Sequence, residues 1–402
     1  MPMGAHVMSK QWQRYGAGTP AVLSHANGPW VWDTEHRRYY DYCAGLAAVT
    51  LGHNHPVVTA ALYGAVGQGV LHLPRHREIE VSEAFCEAVG AEQVRWVSTG
   101  SEAAEGAVRI ARIATGRDLV FSIGYHSWYA TFSAAKPIHP GCPERFRYVL
   151  YDFPYNDLDA IRYNFEMHKD VAAVIVEPTA IEKPNDGYLD GLRALCTEHG
   201  ALLIFDEVIC GFRFHTRGGA GAFEVEPDLQ IYGKTITNGA VPAACIVGPE
   251  QYMRYAWPVS GTANAHPLAL AAVGAVLNVY RQTDIPAALW REGAMLWAHL
   301  RSVQETGAHP YILDGWPIRP RITFPNDPEQ IALSAFVQRL AERGVLWQPS
   351  GANVMATAEG REDANGTVIT TTFEVADAWA QDPAGVRDSL AGGPLSPTGL
   401  RA

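Results

Sequence analysis

Two runs of the chain decide its fold: Ala201-Leu-Leu-Ile-Phe-Asp206-Glu-Val208, and then Asp228-Leu-Gln-Ile-Tyr-Gly-Lys234-Thr-Ile-Thr237. The first is a short apolar run that closes on an acid, which is typical of a buried strand whose last residue reaches a sheet edge. The second places a lysine 28 residues after that acid. Asp206 and Lys234 are therefore the pair from which the function is inferred.

An aspartate and a lysine in this relation match the chemistry of pyridoxal phosphate. A lysine holds the aldehyde of that cofactor as a Schiff base, and a carboxylate keeps its pyridine nitrogen protonated, so that the ring accepts electrons from a substrate carbanion. Either residue alone is more often an ordinary strand-end charge that faces water. The interpretation therefore needs a phosphate site and ring contacts elsewhere in the chain.

The composition predicts a large folded protein. With 402 residues, of which 48% are hydrophobic and 18% charged, the chain can bury a large core in two packed lobes. Its net charge of −11, without a basic stripe, argues against nucleic-acid binding. No apolar run approaches the ~18 residues of a membrane span, and no signal-peptide core opens the sequence. Six scattered cysteines predict reduced thiols and a cytoplasmic location.

Apolar strand-like runs alternate with helical stretches along most of the chain. The strands are predicted at residues 94–97, 119–122, 171–176, 202–205 and 243–247, and helices between them at 102–114 and 189–199. This alternation predicts an α/β fold with a mostly parallel sheet covered by helices. We predict an N-terminal segment at 1–50 that joins the small domain, a large cofactor-binding domain at 51–286, a smaller α+β domain at 287–381 and a flexible tail at 382–402.

The run Ser98-Thr99-Gly100-Ser101-Glu102 leaves a predicted strand and enters a predicted helix. Gly100 lets the backbone approach a ligand closely, and the hydroxyls of Thr99 and Ser101 lie beside the unpaired amides of the helix start. Such a helix start binds anions, including phosphate. An ordinary hydroxyl cap followed by a glutamate has the same sequence, so this run alone leaves both interpretations open.

Gly124-Tyr125-His126-Ser127 follows another predicted strand. A tyrosine at this position either lies flat on a planar ligand in the crevice at the sheet edge or belongs to the core. His126 could form a metal site with His53 and His55. No acid stands at metal-ligand spacing beside them, so no metal site is predicted.

Acids also end two successive strands, in Val176-Glu177-Pro178 and in Phe205-Asp206-Glu207. They are expected at the carboxyl edge of the sheet. One alternative function is general acid–base hydrolysis by an acid pair, for which no partner is recognisable. The other alternative is that Glu177 and Glu207 are solvated loop charges.

From about residue 18 to residue 350 the chain resembles the class III aminotransferases, which are pyridoxal phosphate enzymes of fold type I. Its motifs are most similar to the glutamate-1-semialdehyde aminomutase branch. The motifs occur in the family's order: Trp32-Asp33, Leu51-Gly-His-Asn-His-Pro56, Ser98-Thr-Gly-Ser-Glu-Ala103, Gly124-Tyr-His126, Glu177-Pro178, Phe205-Asp-Glu-Val-Ile-Cys-Gly-Phe-Arg213, Tyr232-Gly-Lys234 and Ser260-Gly-Thr262.

The resemblance implies a catalytic pair and a phosphate site. Lys234 would hold the cofactor as a Schiff base and move a proton between the substrate carbon and the cofactor. Asp206 would bind the pyridine nitrogen. Thr99, Gly100 and Ser101 would bind the phosphate group.

The resemblance also implies the remaining contacts to the cofactor. Tyr125 would stack on one face of the ring and Val208 would pack on the other, with Glu177 and His126 beside it. Thr262 would reach the phosphate bound by a second copy of the chain. A homodimer with shared active sites is therefore implied.

Two segments depart from the aminomutase branch. That branch has an N-terminal Ser-Pro-Val-Arg whose arginine holds the substrate carboxylate, whereas here Arg14 stands alone at a different spacing. After Pro349-Ser350 the branch has a glutamate in an aromatic-rich loop, whereas this chain reads Gly351-Ala-Asn-Val-Met355. The cofactor residues are therefore complete, while the substrate residues differ.

The function predicted on this basis is an aminotransferase that moves an amino group between an amino donor and a carbonyl acceptor. Three alternatives remain: an intramolecular aminomutase, a racemase or epimerase, and a non-catalytic binding module on the same fold. The donor and acceptor are expected to be small molecules. If Trp128 faces the substrate, an aromatic or sugar-like acceptor would fit better than a short dicarboxylate.

Overall fold

The structure is a computed structural model, and it describes residues 5–11, 15, 18–134, 141–179, 181–392 and 394–395. Arg14 lies outside the described residues. The chain forms two compact units: a larger unit, Pro56–Pro286, and a smaller unit made of Met1–His55 and Ala287–Ala402.

Thirteen strands form three sheets in the described part of the chain. In chain order they are β1 (Leu23–Asn27), β2 (Trp30–Asp33), β3 (Arg38–Asp41), β4 (Gln93–Val97), β5 (Leu119–Ile123), β6 (Leu150–Asp152), β7 (Val171–Val176), β8 (Leu202–Asp206), β9 (Leu229–Tyr232), β10 (Ala244–Gly248), β11 (Ile312–Trp316), β12 (Arg319–Thr323) and β13 (Val345–Leu346).

The α-helices follow the same numbering. They are α1 (Ala44–Ala47), α2 (Pro56–Ala65), α3 (His76–Val89), α4 (Gly100–Thr115), α5 (Ala130–Ser133), α6 (Leu158–Met167), α7 (Tyr188–His199), α8 (Gly218–Phe223), α9 (Glu250–Met253), α10 (Pro267–Gln282), α11 (Ile285–Thr306), α12 (Ile331–Glu342), α13 (Arg361–Gln381) and α14 (Pro383–Asp388). Short 3₁₀ helices lie at Met8–Lys10, Glu144–Tyr148 and Lys234–Thr237.

The larger unit is built on a seven-stranded sheet with the order β4-β10-β9-β8-β7-β5-β6. Strands β6, β5, β7, β8 and β9 pair in parallel, and β10 runs antiparallel to both β9 and β4. All residues of β5, β7 and β8 are buried, because helices cover both faces of the sheet. The predicted α/β fold with a mostly parallel sheet is confirmed.

The two faces of this sheet carry separate cores. Alternate residues, such as Ile204 and Ile231, pack with α4 on one face. Their neighbours Leu203 and Phe205 pack with α6 and α7 on the other face. The predicted strands match β4, β5, β7, β8 and β10 to within one or two residues. Strand β6 was not predicted, because its three residues are too few to show a pattern.

The smaller unit contains a four-stranded sheet, β1-β2-β3-β13, and the β11–β12 hairpin. Its core gathers Tyr42, Phe336 and Trp347 with residues of α11, α12 and α13. Helix α13 was not predicted, because its middle, Thr367-Val-Ile-Thr-Thr-Thr-Phe373, is rich in the β-branched residues that favour strands. The segment expected to be a flexible tail from 382 begins instead with α14, where Val386 is buried.

Candidate active site

The strand order places the predicted site residues side by side at one sheet edge. Strands β9, β8, β7 and β5 are neighbours and run parallel, so that their carboxyl ends meet. Lys234 follows β9, Asp206 ends β8, Glu177 follows β7 and Tyr125 follows β5. The end of β4, which leads to Thr99, lies at the same edge because β4 and β9 are both antiparallel to β10.

Asp206 and His126 form a buried pair. His126 Nδ1 lies 2.7 Å from Asp206 Oδ2, and the His126 side chain is fully buried. The other carboxylate oxygen, Oδ1, accepts a hydrogen bond of 3.1 Å from the backbone N–H of Val208. Two partners from different segments therefore fix the orientation of this carboxylate.

His126 has a second ring nitrogen that is also buried. Within the described part of the chain, its Nε2 has no hydrogen-bond partner. The ring packs edge-on against Phe132, at 5.8 Å between ring centroids. An apolar wall on one side and a carboxylate on the other hold this imidazole in place.

Thr99, Gly100 and Ser101 form the start of α4. Thr99 is its N-cap: the hydroxyl accepts a bond from Glu102 N–H, and the Glu102 carboxylate accepts bonds from the N–H groups of Ser98 and Thr99. No described residue accepts a hydrogen bond from the N–H of Gly100 or Ser101. The capping interpretation and the anion-binding interpretation are therefore compatible, since the cap leaves two amides available.

Val208 connects this helix start to the two strand ends. A Cβ placed on Gly100 would lie 3.2 Å from Val208 Cγ2, and one placed on Gly233 would lie 3.4 Å from Val208 Cγ1. Glycine at position 100 therefore lets the backbone at the start of α4 lie against Val208, which itself donates to Asp206. The structure thus brings together Thr99–Ser101, Asp206–Val208 and Gly233–Lys234.

Lys234 has an unusual backbone conformation. Its φ is 45°, in the left-handed region that residues other than glycine seldom adopt. It begins the 3₁₀ helix Lys234–Thr237, and Thr235 Oγ1 donates to Gly211 O at 2.8 Å. The side chain is half-buried. A backbone held in this conformation fixes the direction in which the lysine leaves the sheet edge.

The other predicted residues are placed as follows. Tyr125 and Glu177 are half-buried at the same edge. Thr262 is not part of this cluster: it is exposed, and its neighbours Ser260 and Gly261 line a shallow cleft along α4 with Glu105. Trp128 is 67% exposed and stacks edge-on against Tyr129.

The alternative that Glu207 is a solvated loop charge is wrong. Its side chain is fully buried, and its carboxyl oxygens accept bonds from Gly219 N–H at 2.8 Å and Ala220 N–H at 3.1 Å. The signal that could have revealed it is the glycine-rich run Gly218-Gly-Ala-Gly221, because a Cβ at Gly218 would overlap the Glu207 carboxyl group. Burial raises the pKa of Glu207 to about 8, although the two backbone bonds act in the opposite direction.

This pKa predicts a pH-dependent stability difference between the wild type and Glu207→Gln. The folded protein keeps the Glu207 proton up to about pH 8, while the unfolded chain releases it near 4.5. Wild-type stability relative to the variant should therefore fall as the pH rises from 5 to 8, by up to about 1.4 kcal/mol per pH unit, and then level off. Urea unfolding at several pH values measures the difference. A flat difference for Glu207→Gln would contradict the prediction.

Two of the three histidines considered for a metal site, His53 and His126, have other partners. His53 Nε2 lies 2.8 Å from Asp41 Oδ2, and the backbone of His53 exchanges two hydrogen bonds with Gly28. His126 is paired with Asp206.

In the described ranges, no helix has both the length and the apolar character needed to cross a membrane.

Comparison with known proteins identifies one family. A family model described as Aminotransferase class-III matches residues 13–360. A glutamate-1-semialdehyde 2,1-aminomutase from Nitratidesulfovibrio vulgaris (strain DSM 19637 / Miyazaki F) is 39% identical over 299 residues, which are 69% of this chain and 70% of that protein.

Solved structures share the fold over nearly the whole chain. The FumI protein of Sphingopyxis sp. MTA144, in its PLP internal aldimine form, superposes with a TM-score of 0.86 at 25% identity and covers 96% of this chain and 94% of its own. The ornithine aminotransferase of Toxoplasma gondii, with partial occupancy of PLP, has a TM-score of 0.79 at 25% identity and covers 90% and 92% of the two chains.

Proposed function

The chain belongs to the class III aminotransferase family of pyridoxal phosphate enzymes, fold type I, and on this premise we propose that it is an aminotransferase. It would move an amino group between a small amino donor and a carbonyl acceptor. One observation carries the proposal: three groups meet around Val208 at the sheet edge. They are the buried Asp206–His126 pair, the backbone of Gly233 that leads into Lys234, and the start of α4 with the amides of Gly100 and Ser101.

The residues of this edge fit pyridoxal phosphate. The amides of Gly100 and Ser101, at the positive end of the 16-residue helix α4, suit a phosphate group, with the hydroxyls of Thr99 and Ser101 beside them. The side chain of Val208 offers an apolar surface for one face of a ring, and we propose Tyr125 for the other. Glu177 and His126 would flank the ring.

When bound, the cofactor supplies an aldehyde that captures an amino group and a ring that takes up electrons. The chain supplies the rest. We propose that Lys234 binds the cofactor covalently and carries a proton to and from the substrate carbon. Asp206, held by His126 and by the Val208 amide, would keep a proton on the ring nitrogen.

An intramolecular aminomutase is the second candidate, because the N. vulgaris relative has that name. Two differences from the aminomutase branch argue against this candidate. One is the position of the N-terminal arginine, and the other is the sequence Gly351–Met355. In the structure, residues 351–355 are buried, and Asn353 N–H donates to Tyr42 O at 2.8 Å. A neutral asparagine thus lies within the loop where the aminomutase branch has a glutamate.

A panel of amines and carbonyl compounds tests the proposal. Holoenzyme is mixed with each amine, alone and with each acceptor, while the visible absorption band and the products are followed. An aminotransferase changes its band with a donor and turns over only when an acceptor is added. Product formation from one substrate alone indicates the aminomutase, and α-proton exchange without amine transfer indicates a racemase or epimerase. A protein whose band responds to none of the amines contradicts catalysis and favours a binding module.

We further propose that two copies form a homodimer in which Thr262 completes the phosphate site of the partner. The segment 63–73 supports this proposal, because it exposes Tyr63 (78%), Val66 (68%), Leu71 (58%) and Leu73 (66%). Exposed apolar residues concentrated in one segment are typical of an interface. The exposure of Thr262 also leaves it accessible to a second chain.

Substituting this apolar segment should dissociate the dimer. The double variant Val66→Glu with Leu73→Glu is expected to sediment as a monomer, because it places charges in an apolar contact. Its affinity for pyridoxal phosphate should also fall, by about tenfold, since one hydrogen-bond donor to the phosphate is lost. Tyr163→Glu, at a 61% exposed position on α6, is the control and should stay dimeric. A wild type that is a fully active monomer would overturn the proposal.

A cytoplasmic location is proposed from the thiols. All six cysteines lie in the described residues and none of them forms a disulfide; Cys86, Cys196, Cys210 and Cys245 are buried. Reduced thiols of this kind suit a reducing compartment.

A further inference from the structure

Glu207 is the buried acid next to Asp206 in the chain, and the chemistry proposed above gives it no role. Its carboxyl group is fully enclosed and binds the backbone of α8 at Gly219 and Ala220. Its own N–H donates to Ile231 O of β9 at 2.9 Å. One residue therefore ties the end of β8 both to the neighbouring strand and to helix residues twelve and thirteen positions further on.

The segment held by Glu207 also reaches the lysine. Gly211 N–H donates to Glu207 O at 2.8 Å, and Gly211 O accepts from Thr235 Oγ1 at 2.8 Å. Thr235 is the residue after Lys234. A Cβ on Gly211 would lie 2.4 Å from Tyr232 Cδ1, so this segment is packed tightly against the end of β9.

The same segment touches the strand on the other side. A Cβ on Gly219 would lie 2.3 Å from Pro178 Cγ, directly after Glu177 at the end of β7. Pro178 O in turn accepts from Tyr155 OH at 2.9 Å. The loop from 207 to 220 therefore contacts the residues that follow three neighbouring strands, β7, β8 and β9.

We propose that Glu207 is a positioning residue: its buried carboxyl group holds the 207–220 loop in the form that fixes Asp206 and Lys234 relative to each other. This inference rests on the proposed function, in which those two residues bind the same cofactor. Without the carboxyl group, the amides of Gly219 and Ala220 lose their acceptors, so the far end of the 207–220 loop loses its tie to the end of β8. Catalysis is sensitive to such displacements, because an error of about 1 Å in position can cost about 100-fold in rate.

The test compares Glu207→Ala with Glu198→Ala, which changes an exposed glutamate on α7. Both are purified as holoenzymes, and the pH titration of the visible cofactor band, the Kd of pyridoxal phosphate, kcat and KM are measured. Glu207→Ala should shift the midpoint of the band by about half a pH unit and lower kcat by about 10- to 100-fold. The KM of the amino donor should change little, because the carboxyl group does not touch the substrate. Glu198→Ala should match the wild type.

A second substitution displaces the carboxyl group without removing it. A Cβ at Gly218 would overlap the Glu207 carboxyl oxygen, so Gly218→Ala should reproduce the band shift of Glu207→Ala. In the Glu207→Ala background the overlap is absent and only the strain of a side chain at a φ of 63° remains, so Gly218→Ala should lower kcat less than it does in the wild type. This non-additivity is the signature of one shared contact.

The outcomes separate the two proposals. A yellow, folded Glu207→Ala that equals Glu198→Ala in band, Kd and kcat overturns the positioning role and leaves the proposed function standing. If Glu207→Ala does not fold, Glu207→Gln takes its place: an intermediate band shift supports the role, and wild-type values overturn it. A wild type that remains colourless with added pyridoxal phosphate overturns both.

Discussion

Lys234→Ala is expected to abolish turnover, with a loss of at least about 10³- to 10⁴-fold, because both the covalent attachment and the proton carrier are removed. Borohydride should fix the cofactor on Lys234 in the wild type and on no residue in the variant. The fold should persist, since the lysine is only half-buried and its backbone makes the hydrogen bonds of the segment. Activity assays and peptide mapping after reduction measure both effects.

Lys169→Ala is the matched control. Lys169 is an exposed lysine that follows α6, and its removal should leave activity, colour and the mapped peptide unchanged. Alanine at position 234 must also adopt a φ of 45°, so its thermal unfolding should be recorded beside the activity. Turnover by a well-folded Lys234→Ala at more than a few per cent of the wild-type rate would contradict the assignment.

Asp206→Asn is expected to lower kcat by about 100-fold or more while leaving the cofactor attached. Asparagine keeps an oxygen that can accept from the Val208 amide, but it has no charge to hold a proton on the ring nitrogen. The Nδ2 amide of the asparagine would face His126 Nδ1. The histidine, which donates a hydrogen bond from Nδ1 to the carboxylate in the wild type, would therefore have to accept one in the variant. The geometry of the pair thus survives and only its electrostatic effect is lost.

Stopped-flow measurement of the first half-reaction checks this prediction. The variant should bind amino donors with nearly the wild-type KM and react slowly, since the loss falls on the chemical step. The exposed Asp190→Asn on α7 is the control for the loss of one negative charge on the protein. A variant at position 206 with wild-type rates would show that another group protonates the ring.

Much of the larger unit could be predicted from local pattern. Strands β5, β7 and β8 are continuous apolar runs, because helices bury both their faces, and such runs are visible in the sequence. Helix α4 has an N-cap threonine with a glutamate three residues later, which is a local signal as well. In contrast, the middle of α13 is a run rich in β-branched residues, so its local sequence does not predict a helix. Its helical form depends on packing against α12, which lies earlier in the chain and is not visible in the local pattern.

By itself the sequence determined which residues were proposed for the site and the order in which they occur. It contains an aspartate that ends a predicted strand, a lysine 28 residues later and a hydroxyl-rich helix start, and the resemblance to one family joined them. Each of these features depends on a few consecutive residues, so each can be recognised from a short stretch of sequence.

Only the tertiary structure decided how these residues meet. The order β4-β10-β9-β8-β7-β5-β6 places the ends of non-consecutive strands side by side. It joins His126 to Asp206, which are 80 residues apart, and buries Glu207 against Gly219. From the sequence, Glu207 could be a solvated loop acid, because burial depends on the residues that pack around a side chain. In the structure those residues belong to α8 and β9. Packing between segments that are distant in sequence therefore makes Glu207 an anchor of the 207–220 loop.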